Sequence, residues 1–335
     1  MNDVTAAPTG LLTGLTYSVP IDGVIRMGRV VVRGDRRLPA KDDQFTVTRK
    51  HKDDNGAWVR HPLDQVLREK YGEVQPDGSK KLRRIPVKVG FDLPNLSITE
   101  QFAVFSREGR PVCVGNGCTG KRRDPASGNV GEVSCPGPDA CPFGSENRCD
   151  AFVRLMVQVE DADLGVCNLI LRSGSINAVT DCRTVLESLS KLYGSIAELP
   201  MWLTLEAKSS SLSRQSTFWY ASLRPAFATL QEGARLMKCR READQAVGMD
   251  RDAYEAMLVT LRNNGAFAET GEDSDQIEDL VVARFSDEGE DGAHTVNVGL
   301  RGAAAGPDVV SLTNRLMSQA QAQQSQALAD IFPTN

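Results

Sequence analysis

Five of the chain's eight cysteines, Cys113, Cys118, Cys135, Cys141 and Cys149, fall within 37 residues. The stretch is rich in Gly, Pro, Ser and Asn and shows almost no apolar periodicity, so side-chain burial alone does not order it. A tetrahedral Zn²⁺ supplies the missing constraint when four soft thiolates meet from short loops, because binding the metal then orders the segment. The intervals are 4, 16, 5 and 7 residues, which is not a clean pair of CxxC knuckles. Cys118, Cys135, Cys141 and Cys149 are the expected metal ligands. Cys113, at the end of a strand-like run, is the cysteine expected to be left out. Gly115, Gly117 and Gly120 suit a tight ligand turn, and Pro136 and Pro142 stiffen the loops that follow two of the cysteines. Arg148 and the run Lys121, Arg122, Arg123 offset a tetrathiolate's charge. An iron–sulfur cluster takes the same four ligands and stands as the alternative cofactor, with unliganded or redox-active cysteines a third reading. Cys167, Cys182 and Cys239 lie alone in apolar or helical settings and read as buried structural thiols.

No window of the 335 residues approaches 18 consecutive apolar side chains, which excludes a helical membrane span. The first residues lack the basic start and apolar run of a signal peptide, so a cytoplasmic location is expected. There, clustered cysteines point to metal or redox chemistry more than to disulfides. The net charge of −5 hides an asymmetry: residues 1–230 carry 30 Lys/Arg against 26 Asp/Glu, and residues 231–335 carry 9 against 18. A mildly basic front and an acidic back fit DNA contact by the front, although opposite solvated faces give the same arithmetic.

The patterning predicts an α+β chain. It comprises a β-rich domain with a Cys-rich metal-binding insertion, then a helical and partly disordered acidic C-terminal region. Residues 1–20 read as a flexible lead. Within 21–225, β-branched runs at 24–25, 29–32 and 44–48 read as strands, with a turn at 33–35. A short helix after His61-Pro62 places Leu63, Val66 and Leu67 on one face and stops at Gly72. Further strands are expected at 85–89, 101–106, 152–160, 165–171, 201–206 and 217–223. Residues 113–149 are the insertion. Ser175 is expected to cap a helix that buries Val179, Leu186, Leu189 and Leu192 and ends at Gly194. Residues 226–265 read as helical. Residues 266–306 form an acidic linker expected to be disordered, since 269–291 hold 10 acidic residues and one Arg. Residues 307–335 read as an amphipathic helix and tail able to self-associate.

No phosphate loop, nucleophile elbow or dinucleotide fingerprint is present. The three histidines, His51, His61 and His294, lie away from the cysteine cluster, read as incidental surface residues and leave no open catalytic zinc site. A non-enzyme is expected. Basic side chains available to a phosphate backbone are Lys80, Lys81, Arg83 and Arg84, and Lys121, Arg122 and Arg123; Arg26, Arg29, Arg33, Arg36 and Arg37 form a third group. Such clusters give salt-dependent, largely sequence-independent affinity.

The order of these features resembles a family. Ile85-Pro86-Val87, Gly117-Cys118, Cys135-Pro136, Cys141-Pro142 with Cys149, and Asp163-Leu164-Gly165-Val166 resemble the phage recombination directionality factors that partner large serine integrases, over roughly residues 20–224. The resemblance implies a non-enzymatic accessory protein of a phage or integrative element that binds a site-specific recombinase on DNA and switches it from integration to excision. It also implies that Cys118, Cys135, Cys141 and Cys149 hold a metal shaping the integrase-facing module. A single-stranded DNA-binding or annealing protein of a mobile element is the alternative, and a metal-dependent hydrolase the third.

Overall fold

The computed structural model describes residues 19–33, 36–209 and 217–263, with side chains at 29–41 and Asn263 left aside. The expectations for residues 1–18, the turn at 34–35, the linker 266–306, the terminal helix 307–335 and His294 lie outside the described residues. So do the side chains of Arg29, Arg33, Arg36 and Arg37.

The chain opens with the hairpin β1 (Gly23–Arg33) and β2 (Arg36–Lys52), followed by β3 (Trp58–Arg60) and α1 (Pro62–Tyr71). Next come β4 (Glu73–Val74), β5 (Lys80–Lys81), β6 (Arg84–Val87), the single turn α2 (Pro94–Ser97) and β7 (Ile98–Phe105). The cysteine segment holds β8 (Pro111–Gly115), β9 (Thr119–Arg123), β10 (Val130–Ser134) and α3 (Pro142–Glu146). Then follow β11 (Asp150–Asp161), β12 (Gly165–Ser173), α4 (Ile176–Tyr193), β13 (Met201–Ser209), β14 (Thr217–Pro225), α5 (Leu230–Val247) and α6 (Arg251–Asn263).

Among the described residues the main sheet has nine strands in the order β10-β9-β8-β7-β11-β12-β1-β2-β3. Every pairing is antiparallel except β1 with β12, which run parallel from Gly23↔Leu169 to Ile25↔Leu171. A register shift between Arg26 and Gly28 lets the β1–β2 hairpin leave the sheet, and from Gly28↔Lys41 to Arg33↔Arg36 the two strands pair with each other. The small sheet β14-β13-β6 and helix α4 pack on the main sheet through β2, β7 and β11.

Alternation of apolar and polar residues explains which faces meet. Val153, Leu155, Val157 and Val159 on β11 point inward, as do Cys167, Leu169 and Leu171 on β12 and Met201, Leu203 and Leu205 on β13. Helix α4 adds Val179, Cys182, Leu186 and Leu189 to the same core, and Gly194 (φ 72°) closes it in the left-handed conformation that favours glycine. Leu192, expected on the buried face, is instead 54% exposed in the last turn of α4.

The helices beyond residue 226 belong to this body. Met237 of α5 is 2% exposed within the main core, and Leu258 of α6 packs with Phe91 and Leu96. A polar clamp fixes both helices. Asp92 accepts from the amides of Ile196 (2.8 Å) and Ala197 (2.7 Å) and from Nη2 of Arg240 (2.9 Å to each oxygen). Glu255 accepts from the amides of Asp92 (2.7 Å) and Leu93 (2.8 Å). Asp244 joins Arg240 to Arg251, and Arg251 also meets Glu198.

The cysteine segment, which follows β7 and precedes its neighbour β11, carries regular structure. It forms an antiparallel meander that extends the main sheet through β8, β9 and β10. Its strands lack apolar alternation because β9 is no more than half-buried and β10 is largely open to solvent, so backbone ladders and turn bonds carry them. Asp124 closes one turn by accepting from the amides of Ala126 (2.7 Å) and Ser127 (3.3 Å).

Candidate functional site

The pleat of the meander builds one cavity. Cross-strand register aligns Val104 with Cys113 and Cys113 with Arg122, and aligns Phe102 with Gly115 and Gly115 with Gly120. Residues opposite one another share a face, and Phe102, Val104, Cys113, Gly115 and Arg122 all line the same cavity of about 10 Å³. The chain after β10 supplies the remaining wall. Cys135 follows β10, Cys141 is the N-cap of α3 and Cys149 stands just before β11; all three line the cavity.

The wall is tight around sulfur. A Cβ on Gly115 would lie 2.5 Å from Sγ of Cys135, and one on Gly144 would lie 3.1 Å and 3.3 Å from the Cβ atoms of Cys149 and Cys141. The Gly144 amide donates to Sγ of Cys141 at 3.4 Å, and Nη2 of Arg122 stands 4.0 Å from the same sulfur. The Arg122 guanidinium lies 3.9 Å over the Phe143 ring, which holds its charge beside the cysteines.

Of the four cysteines expected as ligands, Cys135, Cys141 and Cys149 are brought together and Cys118 is not among the cavity residues. Cys118 is exposed on the turn between β8 and β9, where its carbonyl accepts from the Cys135 amide at 3.0 Å. Cys113, expected to be left out of the ligand set, lines the cavity with them. The signal lay in the alternation of β8: Val112 and Val114 flank Cys113, so Cys113 faces the other side of the strand from them. Among the described residues no group of three or more His, Cys, Asp or Glu is arranged as it stands to hold a metal ion.

The other cysteines divide differently from expectation. Cys167 and Cys182 are buried, and burial pushes both thiols upward, Cys182 to about 12. Cys239, also read as a buried thiol, is exposed on α5. His61 is not an incidental surface residue. It is 9% exposed and caps α1, its Nδ1 accepting from the Leu63 amide at 3.2 Å. Burial first, then the nearby Arg49 charge, lower its pKa and favour the neutral ring that this bond requires.

The basic clusters are partly engaged inside the fold. Lys81 and Arg83 both bind Asp43, at 2.7 and 2.5 Å, and Arg83 also reaches Glu73 at 3.0 Å. The Lys81 hydrogen bond, followed by that from Arg83, holds the Asp43 carboxyl below the usual range. Arg83 and Arg84 stand over the Trp219 and Trp202 rings, each at 5.0 Å. Lys80 donates to the Glu69 carbonyl at 3.1 Å. On β9, Arg123 donates to the Gly128 carbonyl at 2.8 Å and Lys121 sits opposite Val114 and Glu132. Arg26 is 6% exposed, donates to Thr48 Oγ1 at 3.1 Å and lies 3.9 Å over the Trp58 ring. Arg29, Arg33, Arg36 and Arg37 occupy the β1–β2 ribbon beyond the main sheet.

The described residues thus hold a cysteine-walled cavity beside β7, β8 and β9 and a β1–β2 ribbon at the other side of the main sheet. A model of the Gp3-like family, described as recombination directionality factor-like, matches residues 22–226. That span is more than half of the chain, and the protein belongs to this family. Membership carries an accessory role in phage recombination, and with it dealings with a recombinase and DNA. No curated protein and no solved structure matches the chain. Among the described residues no helix is long and apolar enough to cross a membrane.

Proposed function

We propose that the protein is a non-enzymatic directionality factor that binds a large serine integrase on DNA and turns it from integration to excision. The observation that carries this reading is the family match over residues 22–226, a span that runs from β1 to the end of β14 and so takes in all three sheets of the described residues. The mechanism is differential binding. The protein holds one synaptic arrangement of the integrase more tightly than the other and shifts its population without chemistry. Moving a two-state equilibrium from 1:99 to 99:1 takes about 5.5 kcal/mol of differential affinity, which a protein–protein interface of ordinary size supplies. The ribbon arginines and Lys121 contribute DNA contact once the integrase has placed the protein. The engagement of Lys81 and Arg83 by Asp43 weighs against the alternative of an independent single-strand binder.

The test is recombination by a purified large serine integrase on plasmids carrying either its integration sites or the hybrid excision sites. The expected result is that the full chain raises excision, lowers integration, and shifts integrase–DNA complexes to slower mobility. An unchanged product ratio at stoichiometric excess, with strong salt-sensitive binding to single strands in the absence of integrase, would replace this reading by the single-strand alternative.

A further inference from the structure

We propose that Cys113, Cys135, Cys141 and Cys149 together hold one Zn²⁺ as a tetrathiolate, with Cys118 outside the ligand set. The inference does not depend on the recombination reading. Four observations converge on it. The four side chains come from four separate pieces of backbone, namely the middle of β8, the end of β10, the N-cap of α3 and the start of β11, yet line one cavity. Glycine occupies the two positions, 115 and 144, where a Cβ would press on Cys135, or on Cys141 and Cys149. An amide N–H and a guanidinium are turned to the Cys141 sulfur, the donors that a thiolate ligand requires around a metal. Finally, in residues 106–149 the buried apolar side chains are those of Pro111, Val114 and Cys135, so the strand meander and α3 have little core of their own to close them.

Binding converts four thiols to thiolates. Each sulfur gives up its proton to solvent and forms a Zn–S bond, leaving a site of net charge −2 that Arg122 faces. Among the described residues the sulfurs do not stand as a metal-binding group, so loading requires them to come closer together. Four thiolates from short loops are the ordinary coordination of a structural zinc, and colour distinguishes that site from an iron–sulfur cluster on the same ligands. The other thiols offer no comparable site. Cys167 and Cys182 are single and buried in the main core, and Cys118 and Cys239 are exposed.

The experiment is metal analysis with visible absorbance on the full chain purified without oxygen, for wild type, Cys113→Ser, Cys118→Ser and Cys141→Ser. The expected result is one zinc per chain and no colour, retained in Cys118→Ser and lost in the other two. A Cys→Ser variant that fails to fold is covered by a second measurement on the wild type alone. Timed alkylation read by mass spectrometry should find Cys118 and Cys239 reactive. Cys113, Cys135, Cys141 and Cys149 should be protected until a chelator is added, and protected again after Zn²⁺ is restored. Replacement by Co²⁺ should give the blue-green absorption of tetrahedral thiolate coordination. Iron with brown colour, zinc that follows Cys118 instead of Cys113, or cluster cysteines that react equally with and without chelator would each overturn the assignment.

Discussion

Two regions of one sheet are held together by different means. Around β11 and β12, strand alternation drives Val153, Leu155, Val157 and Leu169 into a core shared with α4 and the small sheet, and burial at roughly 25 cal/mol per Å² of apolar surface does the work. Toward β10 the same sheet continues, but β9 and β10 are built of Thr, Gly, Lys, Arg, Val, Glu and Ser, with both valines of β10 short of full burial, and the cavity beside them is walled by cysteines. The first region is stable because water leaves it. The second relies on ladder and turn hydrogen bonds. A sheet can therefore be continuous in hydrogen bonding and discontinuous in the source of its stability.

The largest expected effect separates the regions from the core side. Leu155 is fully buried on β11, and Leu155→Ala should lower the unfolding free energy by about 2–5 kcal/mol in urea titration. Thiol protection of the cluster in the remaining folded protein should not change. Gly115→Ala approaches from the other side. Its Cβ would sit 2.5 Å from Cys135 Sγ, so overpacking of about 1–3 kcal/mol is expected. The loss should show as faster alkylation of Cys135 and Cys141 with little change in the fluorescence of the half-buried Trp202 and Trp219. If Gly115→Ala instead unfolds the whole chain in one step, the two regions are one cooperative unit.

Thr229→Ala removes the N-cap of α5, whose hydroxyl accepts from the Glu232 amide at 3.2 Å. A drop of about 1 kcal/mol in the urea-derived stability is expected, confined to the core side because Met237 anchors that helix. The smallest effect concerns pH. Asp43 is held below its ordinary value of 3.8, first by its Lys81 hydrogen bond. A carboxyl lowered in the folded state binds fewer protons there than in the unfolded chain, so its stabilisation is complete above the unfolded pKa and fades as pH falls through the folded one. Asp43→Asn should therefore flatten the acid limb of a thermal-melting profile below about pH 4 while leaving the neutral region modestly lower. An identical acid limb in both proteins would show that the pair to Lys81 and Arg83 has no net worth.

How much of this was legible in the sequence follows the same division. The strands of β11 to β14 and helix α4 were readable because a period of two or of 3.6 survives wherever a face is buried, and Gly72 and Gly194 marked two helix ends. The strands β9 and β10 were not, since strands whose residues are half-buried or exposed throughout keep no apolar alternation to read. Cys113 was set aside because it ends an apolar run; its orientation is a cross-strand property, fixed by pairing with Val104 and Arg122. The engagement of Lys81 and Arg83 by Asp43 spans about 40 positions, and His61 is buried by residues far away in the chain. Long-range pairing of this kind leaves no local trace.

The parallel strand pair has a consequence for synthesis. Asp22, at the entrance of β1, bonds to the amide of Asn168 across 146 positions, and Gly23 to Ile25 have β12 as their second neighbour. At roughly 5–20 residues per second, the ribosome leaves the inner edge of the first hairpin unpaired for on the order of ten seconds. During that interval a nascent chain presents an open β-edge to its neighbours on the same messenger. The yield of correctly folded protein should accordingly depend on translation speed between β2 and β12 more than on codons anywhere else.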